Sequence, residues 1–273
     1  AAPYPYVWSS IAKIGAGKTE EAIDIIEHGL LISKTAAIDH MTSQFLQWRA
    51  FAHALTGNSK QVQKDLDLSM SLRKEAGGPF YSAYHYAISG AALALTGNIA
   101  KGRELLDNGL AIGESIASDY VKACCLAYLC LIDILEKKKE KIPVSLSRWL
   151  THMKTCRYSY FWGWEPTSML RLLASAVTLD IEPDFARQLA RQRFGMTIFS
   201  DGTIVPLMVI NCLGEFSIGT SKETFIGPQD FNTNQRELIG LLISSPNHRL
   251  SQEHVQLNFW PDSAPEKARK SFD

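Results

Sequence analysis

The chain has no excess of either charge. Twenty-eight Lys and Arg balance 28 Asp and Glu over 273 residues. No global field draws it to nucleic acid or to an anionic membrane, so any such affinity must be local. It has no apolar run of membrane-spanning length, which predicts no transmembrane helix. The start, Ala1-Ala2-Pro3-Tyr4, lacks the basic and apolar regions of a signal peptide. It also lacks an initiator Met, and the last residues fall inside a predicted helix. Both features are expected of a piece of a longer protein. Cysteine is sparse and odd in number: Cys124, Cys125, Cys130, Cys156 and Cys212, without a C-x-x-C pair. That pattern excludes a disulfide framework and predicts buried, reduced thiols in a cytoplasmic protein. G-x-S-x-G and H-E-x-x-H motifs are missing too, so no catalytic constellation and no cofactor site are expected.

What is present is a period. Ala54-Leu55-Thr56-Gly57-Asn58 returns forty residues later as Ala94-Leu95-Thr96-Gly97-Asn98, and the same step backwards lands on Gly17. Small residues keep this register at Ser10, Ala50, Gly90 and Cys130, and at Gly29, Ser69 and Gly109. Apolar residues keep it at Ile26, Leu66, Leu106 and Leu146. A shared period across otherwise different segments predicts stacked units of supersecondary structure. Each unit reads as two helices. In the third, Tyr81 to Leu95 precedes a Gly97-Asn98 turn and Ile99 to Ile112 follows it. The turn glycine supplies positive φ, and small residues allow close helix approach. A fourth unit spans Asp119 to Met153, with the charged run Glu136 to Lys141 as its turn. The aromatic cluster Tyr158 to Trp164 then precedes a further helix pair.

These units resemble tetratricopeptide repeats with a longer period. Long variants of this kind resemble the sensor region of large ATP-binding bacterial regulators of the maltose-activator type. The resemblance implies a helical-repeat solenoid that binds an effector or a protein partner, over residues 1–195. On the tetratricopeptide template, Gln44, Gln47, Phe51 and Tyr84 face the concave side, as a groove for a sugar or peptide. The aromatics allow a second reading, because stacked helix pairs also bury aromatic rings as core.

Residues 196–273 read differently. Thr197 to Thr203 has turn chemistry with β-branched neighbours. Met208 to Ile218 predicts a strand pair, and Phe231 to Ile243 a helix. Ser251 caps a helix that Pro261 ends. Asp262-Ser263 makes a turn, and Ser263 with Glu266 forms a capping box for a second helix. That helix carries Lys267, Arg269 and Lys270, whose bland alternative is a solvated face. Leu257-Asn258-Phe259-Trp260-Pro261-Asp262-Ser263-Ala264-Pro265-Glu266-Lys267-Ala268-Arg269-Lys270 resembles the signature of transcriptional activators with an OmpR/PhoB-type winged helix, such as the antibiotic-regulatory activators. Leu213-Gly214-Glu215-Phe216 is similar to the opening strand motif of that domain. The resemblance implies an incomplete winged helix that meets duplex DNA through Lys267, Arg269 and Lys270, the family's C-terminal hairpin being absent. The fold class expected is therefore mainly α, a tetratricopeptide-like solenoid followed by a small α+β domain. The rival reading is a repeat-based adaptor whose helix-turn-helix serves dimerisation.

Two tempting motifs carry no chemistry. Gly15-Ala16-Gly17-Lys18-Thr19 lacks the first glycine of a phosphate-binding loop, since Ala12 stands there, and no strand precedes it. His28, His40, His53 and His85 scatter over different repeats without metal spacing, so no metal site is expected.

Overall fold

The computed structural model describes residues 3–73, 78–212, 216–220 and 223–272. Contacts divide the chain after Val205 into two units. The first contains α1 (Tyr4–Gly15), α2 (Thr19–Thr35), α3 (Asp39–Leu55), α4 (Ser59–Arg73), α5 (Gly78–Leu95), α6 (Ile99–Ser115), α7 (Asp119–Leu135), α8 (Lys141–Thr155), α9 (Pro166–Thr178) and α10 (Pro183–Phe194). A short hairpin of β1 (Met196–Ile198) and β2 (Ile204–Pro206) follows α10. The boundary expected from sequence, 195/196, lies at the start of this hairpin; the division by contacts lies at its end. β1 packs on α10, where the Arg187 Nε donates to the Ile198 carbonyl at 3.0 Å.

The forty-residue period is visible in the backbone. Gly17, Gly57 and Gly97 turn the chain between paired helices with φ of +74°, +78° and +90°. Forty residues further, Lys137 adopts the same left-handed conformation at +55°. The connections between pairs bend in the same way, at Ala37, Ala117 and Arg157. Helices of a pair pack together, and α1, α3, α5 and α7 also touch one another in series. The inner helices are therefore enclosed on most sides, and α5 is buried almost continuously from Ala83 to Ala94. The outer ones keep a single apolar stripe. In α6 it runs through Gly102, Leu105, Leu106, Gly109, Leu110 and Gly113, at spacings of one helical face.

Small residues in register mark the closest approaches. A Cβ on Gly90 would lie 2.7 Å from the Gly102 carbonyl, and one on Gly102 would lie 2.8 Å from the Gly90 carbonyl. Backbone meets backbone there. Between α3 and α4 a small side chain serves as the link: the Ser69 hydroxyl donates to the Ser43 carbonyl at 2.7 Å.

Around Gly57, in contrast, a Cβ would meet nothing within 4 Å. Its glycine answers only to the positive φ. Gly57→Val should therefore cost about 1–2 kcal/mol, the penalty of a left-handed β-branched residue. That corresponds to a loss of roughly 2–8 °C in melting temperature for a unit of this size. An unchanged thermal melt would show that the turn carries no backbone cost.

The second unit holds β3 (Met208–Asn211), β4 (Ser217–Thr220) and β5 (Glu223–Ile226) in an antiparallel sheet with β4 in the centre. Met208 pairs with Thr220 and Asn211 with Ser217; between β4 and β5 the register shifts. The expected strand pair is thus present, with β5 added. Leu213, Gly214 and Glu215 lie outside the described residues. Then come α11 (Thr233–Ser244), α12 (Gln252–Phe259) and α13 (Pro265–Phe272). Asn232 and Gln235 form a reciprocal capping box on α11, each bond 2.9 Å. Among the described residues of both units, no helix is long and apolar enough to cross a membrane.

Candidate functional site

The inner helices α1, α3, α5 and α7 turn aromatic side chains toward one another, and the segment after α8 runs across them. Trp162 lies at its centre. The ring sits 4.8 Å from Trp8, 4.9 Å from Tyr84 and 5.5 Å from Tyr120, centroid to centroid. The backbone is fastened as well. Tyr84 donates its hydroxyl to the Trp162 carbonyl, and Tyr128 donates to the Gly163 carbonyl at 2.5 Å. Gly163 has φ of +92°, and a Cβ there would strike Ile88 Cδ1 at 2.6 Å. Glu165 then caps α9, accepting from the Thr167 and Ser168 amides at 2.8 and 2.6 Å.

This strap decides the fate of the expected groove. Phe51 and Tyr84 are buried beneath it or beside it as core. Gln47 is buried too, and its Oε1 lies 2.9 Å from His85 Nδ1. Gln44, of the four residues placed on the concave face, is half-buried and lines a cavity. That cavity, about 110 Å³, lies among α1, α3, α4 and α5 and includes Tyr4, Trp8, His40, Arg73 and Tyr81. The strap is legible in sequence as an aromatic cluster. Its docking is not, because it joins residues about 80 positions apart, such as Tyr84 and Trp162.

Charges in the interior are mostly matched. Arg49 grips Asp65 with two parallel bonds of 2.8 and 2.6 Å and reaches Glu27 at 2.6 Å. Arg103 likewise bridges Asp133 and Glu136, each at 2.7 Å. Arg73, at the end of α4, is the exception: it is 8% exposed and its Nε is buried without a hydrogen-bond partner. Burial pulls its pKa below the ordinary arginine value. His85 is held neutral, its pKa driven down to about 3 by burial and then by the Arg73 charge.

The thiols divide. Cys124, Cys125 and Cys130 are buried, and burial pushes all three up, so they are unreactive neutral groups. Cys156 is half-buried and Cys212 exposed, which corrects the expectation of uniform burial. Cys156 also takes part in the one group of possible metal ligands found among the described residues. Asp119, His152 and Cys156 bring ligand atoms within 4.8 Å of one another. His152 and Cys156 are four apart on one helical face, a spacing that suits shared ligation but does not mark it. The three groups already have company, however. His152 Nε2 lies 2.9 Å from the Asp119 carbonyl, and the Lys122 ammonium sits 2.5 Å from the Asp119 carboxylate. That ammonium supplies the positive charge a cation would bring.

Gly17 is a turn residue between two helices, not part of a phosphate cradle. Lys18 pairs with Glu21 at 3.0 Å.

In the second unit, Ser251 caps α12, accepting from the His254 amide at 3.2 Å, and the helix stops at Trp260. The next helix starts at Pro265, two residues after Ser263. Proline at the first helical position sets φ without losing a bond. Lys267, Arg269 and Lys270 are exposed on α13.

No protein-family model matches this chain, and no curated protein or solved structure gives a significant match.

Proposed function

We propose that the chain is part of a transcription regulator, in which a tetratricopeptide-like solenoid senses an effector or partner and a winged-helix unit meets duplex DNA. The observation that carries this reading is the C-terminal arrangement. A small antiparallel sheet precedes α11, and α12 ends at Trp260-Pro261 before α13, which displays Lys267, Arg269 and Lys270. A helix presented in this way suits the major groove. The solenoid reading draws on the positive-φ turns at forty-residue intervals and on the serial packing of α1, α3, α5 and α7. Binding of an effector at the helical unit would alter how the DNA-facing unit is presented.

With zero formal charge on the chain, affinity for DNA must come from that short basic stretch. Binding of this chain to a duplex should be weak and should vanish between about 50 and 200 mM salt. Replacing Lys267, Arg269 and Lys270 together by Ala should flatten the plot of log affinity against log salt by roughly two to three, about 0.9 for each phosphate no longer neutralised. Fluorescence anisotropy with a labelled duplex reads both quantities. Circular dichroism should report the same fold for the variant, since all three side chains are exposed. An unchanged salt slope would place the DNA-facing surface elsewhere.

The dimerisation reading draws on Leu257, an apolar side chain of α12 that is 68% exposed. Sedimentation of the chain with and without Leu257→Glu separates it from the DNA reading. A dimer that dissociates on this change, with no duplex binding, would favour the adaptor.

A further inference from the structure

Burying a guanidinium without a counter-ion is costly, and the fold shows that it can avoid the cost. Arg49 and Arg103 are each given carboxylates, two apiece. Arg73 is given none among the described residues, although it is more than nine-tenths buried. Its Nε donor has no acceptor. His85 Nε2, Ser89 Oγ, Trp149 Nε1 and Trp164 Nε1 are also buried without partners, but on neutral groups; a buried cation left so calls for a reason.

The reason lies in what Arg73 borders. The cavity of about 110 Å³ has this cation on one side, the Gln44 amide and the His40 imidazole on another, and the rings of Tyr4, Trp8 and Tyr81 at its rim. Tyr4 is held there by its hydroxyl, 3.3 Å from His40 Nε2. The volume equals about four water molecules at roughly 30 Å³ each, room for a small organic molecule but not for a peptide or sugar chain. The wall chemistry is one fixed positive charge, an amide, an imidazole and aromatic faces. Guanidinium presents a planar fork that matches a carboxylate in two bonds.

We propose that this pocket binds a small organic carboxylate, with Arg73 as its counter-ion, Gln44 as an orienting hydrogen-bond partner and the three rings covering an apolar body. The inference rests on the reading of the helical unit as a sensor and names the class of its effector. It also explains why Gln44 stays at the surface of the cavity while Gln47 is consumed by His85. Arg73 is then a residue kept for binding at the expense of stability.

The test is thermal melting of this chain in sodium propionate, pyruvate and benzoate at millimolar concentration. Propionamide, sodium chloride and sodium phosphate at matched ionic strength are the controls. At least one carboxylate should raise the melting temperature in a saturable way, by about 5–10 °C once it exceeds its Kd roughly a hundredfold. Propionamide should leave the melt unchanged. Arg73→Met should melt higher than the parent without ligand, because the unpaired charge is gone, and should lose the carboxylate response. Gln44→Leu, which leaves Arg73 in place, should fold and show a weakened response. No shift from any of the three carboxylates would overturn the proposal. So would a shift retained in Arg73→Met, or an equal shift from phosphate or chloride, the mark of an adventitious ion only. These melts use no DNA. Failure here leaves the salt-slope experiment untouched, and failure of that experiment leaves the pocket standing.

Discussion

Acidification from pH 6.5 to pH 4 should remove about 3 kcal/mol of stability from the helical unit through His85 alone. Unfolded, this imidazole takes up its proton near 6.5; folded, it does so only near 3, because burial and the Arg73 charge both oppose the second positive charge. Between those values the unfolded chain binds one proton more than the folded one. The contribution is therefore complete above pH 6.5 and declines as pH falls, by about 1.4 kcal/mol for each pH unit, until the folded pKa is reached. In the folded unit His85 Nδ1 donates to Gln47, so the neutral tautomer is fixed by an amide that the repeat template assigns to a ligand. His85→Gln keeps a donor for Gln47 and cannot titrate. Denaturant midpoints measured every half pH unit should fall more steeply for the parent than for this variant, by about one proton across the window.

Other groups tilt both curves alike. Asp119 and Glu136 are held low mainly by hydrogen bonds to Lys122 and Lys138, so both lose stability as pH falls toward their lowered pKa values. Glu165 runs the other way, since burial raises its pKa and protonation relieves the buried charge. The difference between parent and variant cancels all three. Parallel curves would show that His85 is not the acid-sensitive group.

The contrast between legible and hidden features follows from distance along the chain. The turns at Gly17, Gly57 and Gly97 are readable because positive φ selects glycine locally. The equivalent turn at Lys137 carries the same backbone under a residue that gives no sign of it. The small residues at Gly29, Ser69 and Gly109 are readable as a register, but their partners in Phe45, Ser43 and Ala83 are not. Gln44 and Gln47 look equivalent in sequence, being polar, one helical turn apart and close to aromatics. What separates them is His85, 38 residues beyond Gln47. Likewise no local pattern marks Arg73 as a buried arginine without a carboxylate among the described residues. Its isolation is a property of what packs around it.

That property is the reverse of the state of Arg49, and Asp65→Ala should expose the difference. The Asp65 side chain is 1% exposed and spends both oxygens on the Arg49 fork, with Gln61 Nε2 donating a further bond at 2.9 Å. Removing it leaves a guanidinium that is mostly withdrawn from water, with Glu27 as its remaining partner. Breaking one side of such a pair costs about 3–5 kcal/mol. Glu27 is half exposed and retained, which places the expectation near the lower end, a fall of roughly 6–12 °C in melting temperature. Glu27→Ala should cost less than about 1 kcal/mol, as an exposed partner does. Replacing both halves of the buried pair, Arg49→Met with Asp65→Leu, should restore most of the loss, because no orphaned charge remains. The three melts together show which carboxylate holds Arg49. A loss on Glu27→Ala equal to that on Asp65→Ala would mean that the exposed acid, and not the buried one, holds the arginine. The pair joins α3 to α4, the helix that ends in Arg73, and so fixes the wall of the pocket against which an effector would bind. Helix α4 can then carry at its end one arginine that has no carboxylate among the described residues, because the other charge it helps to bury is matched.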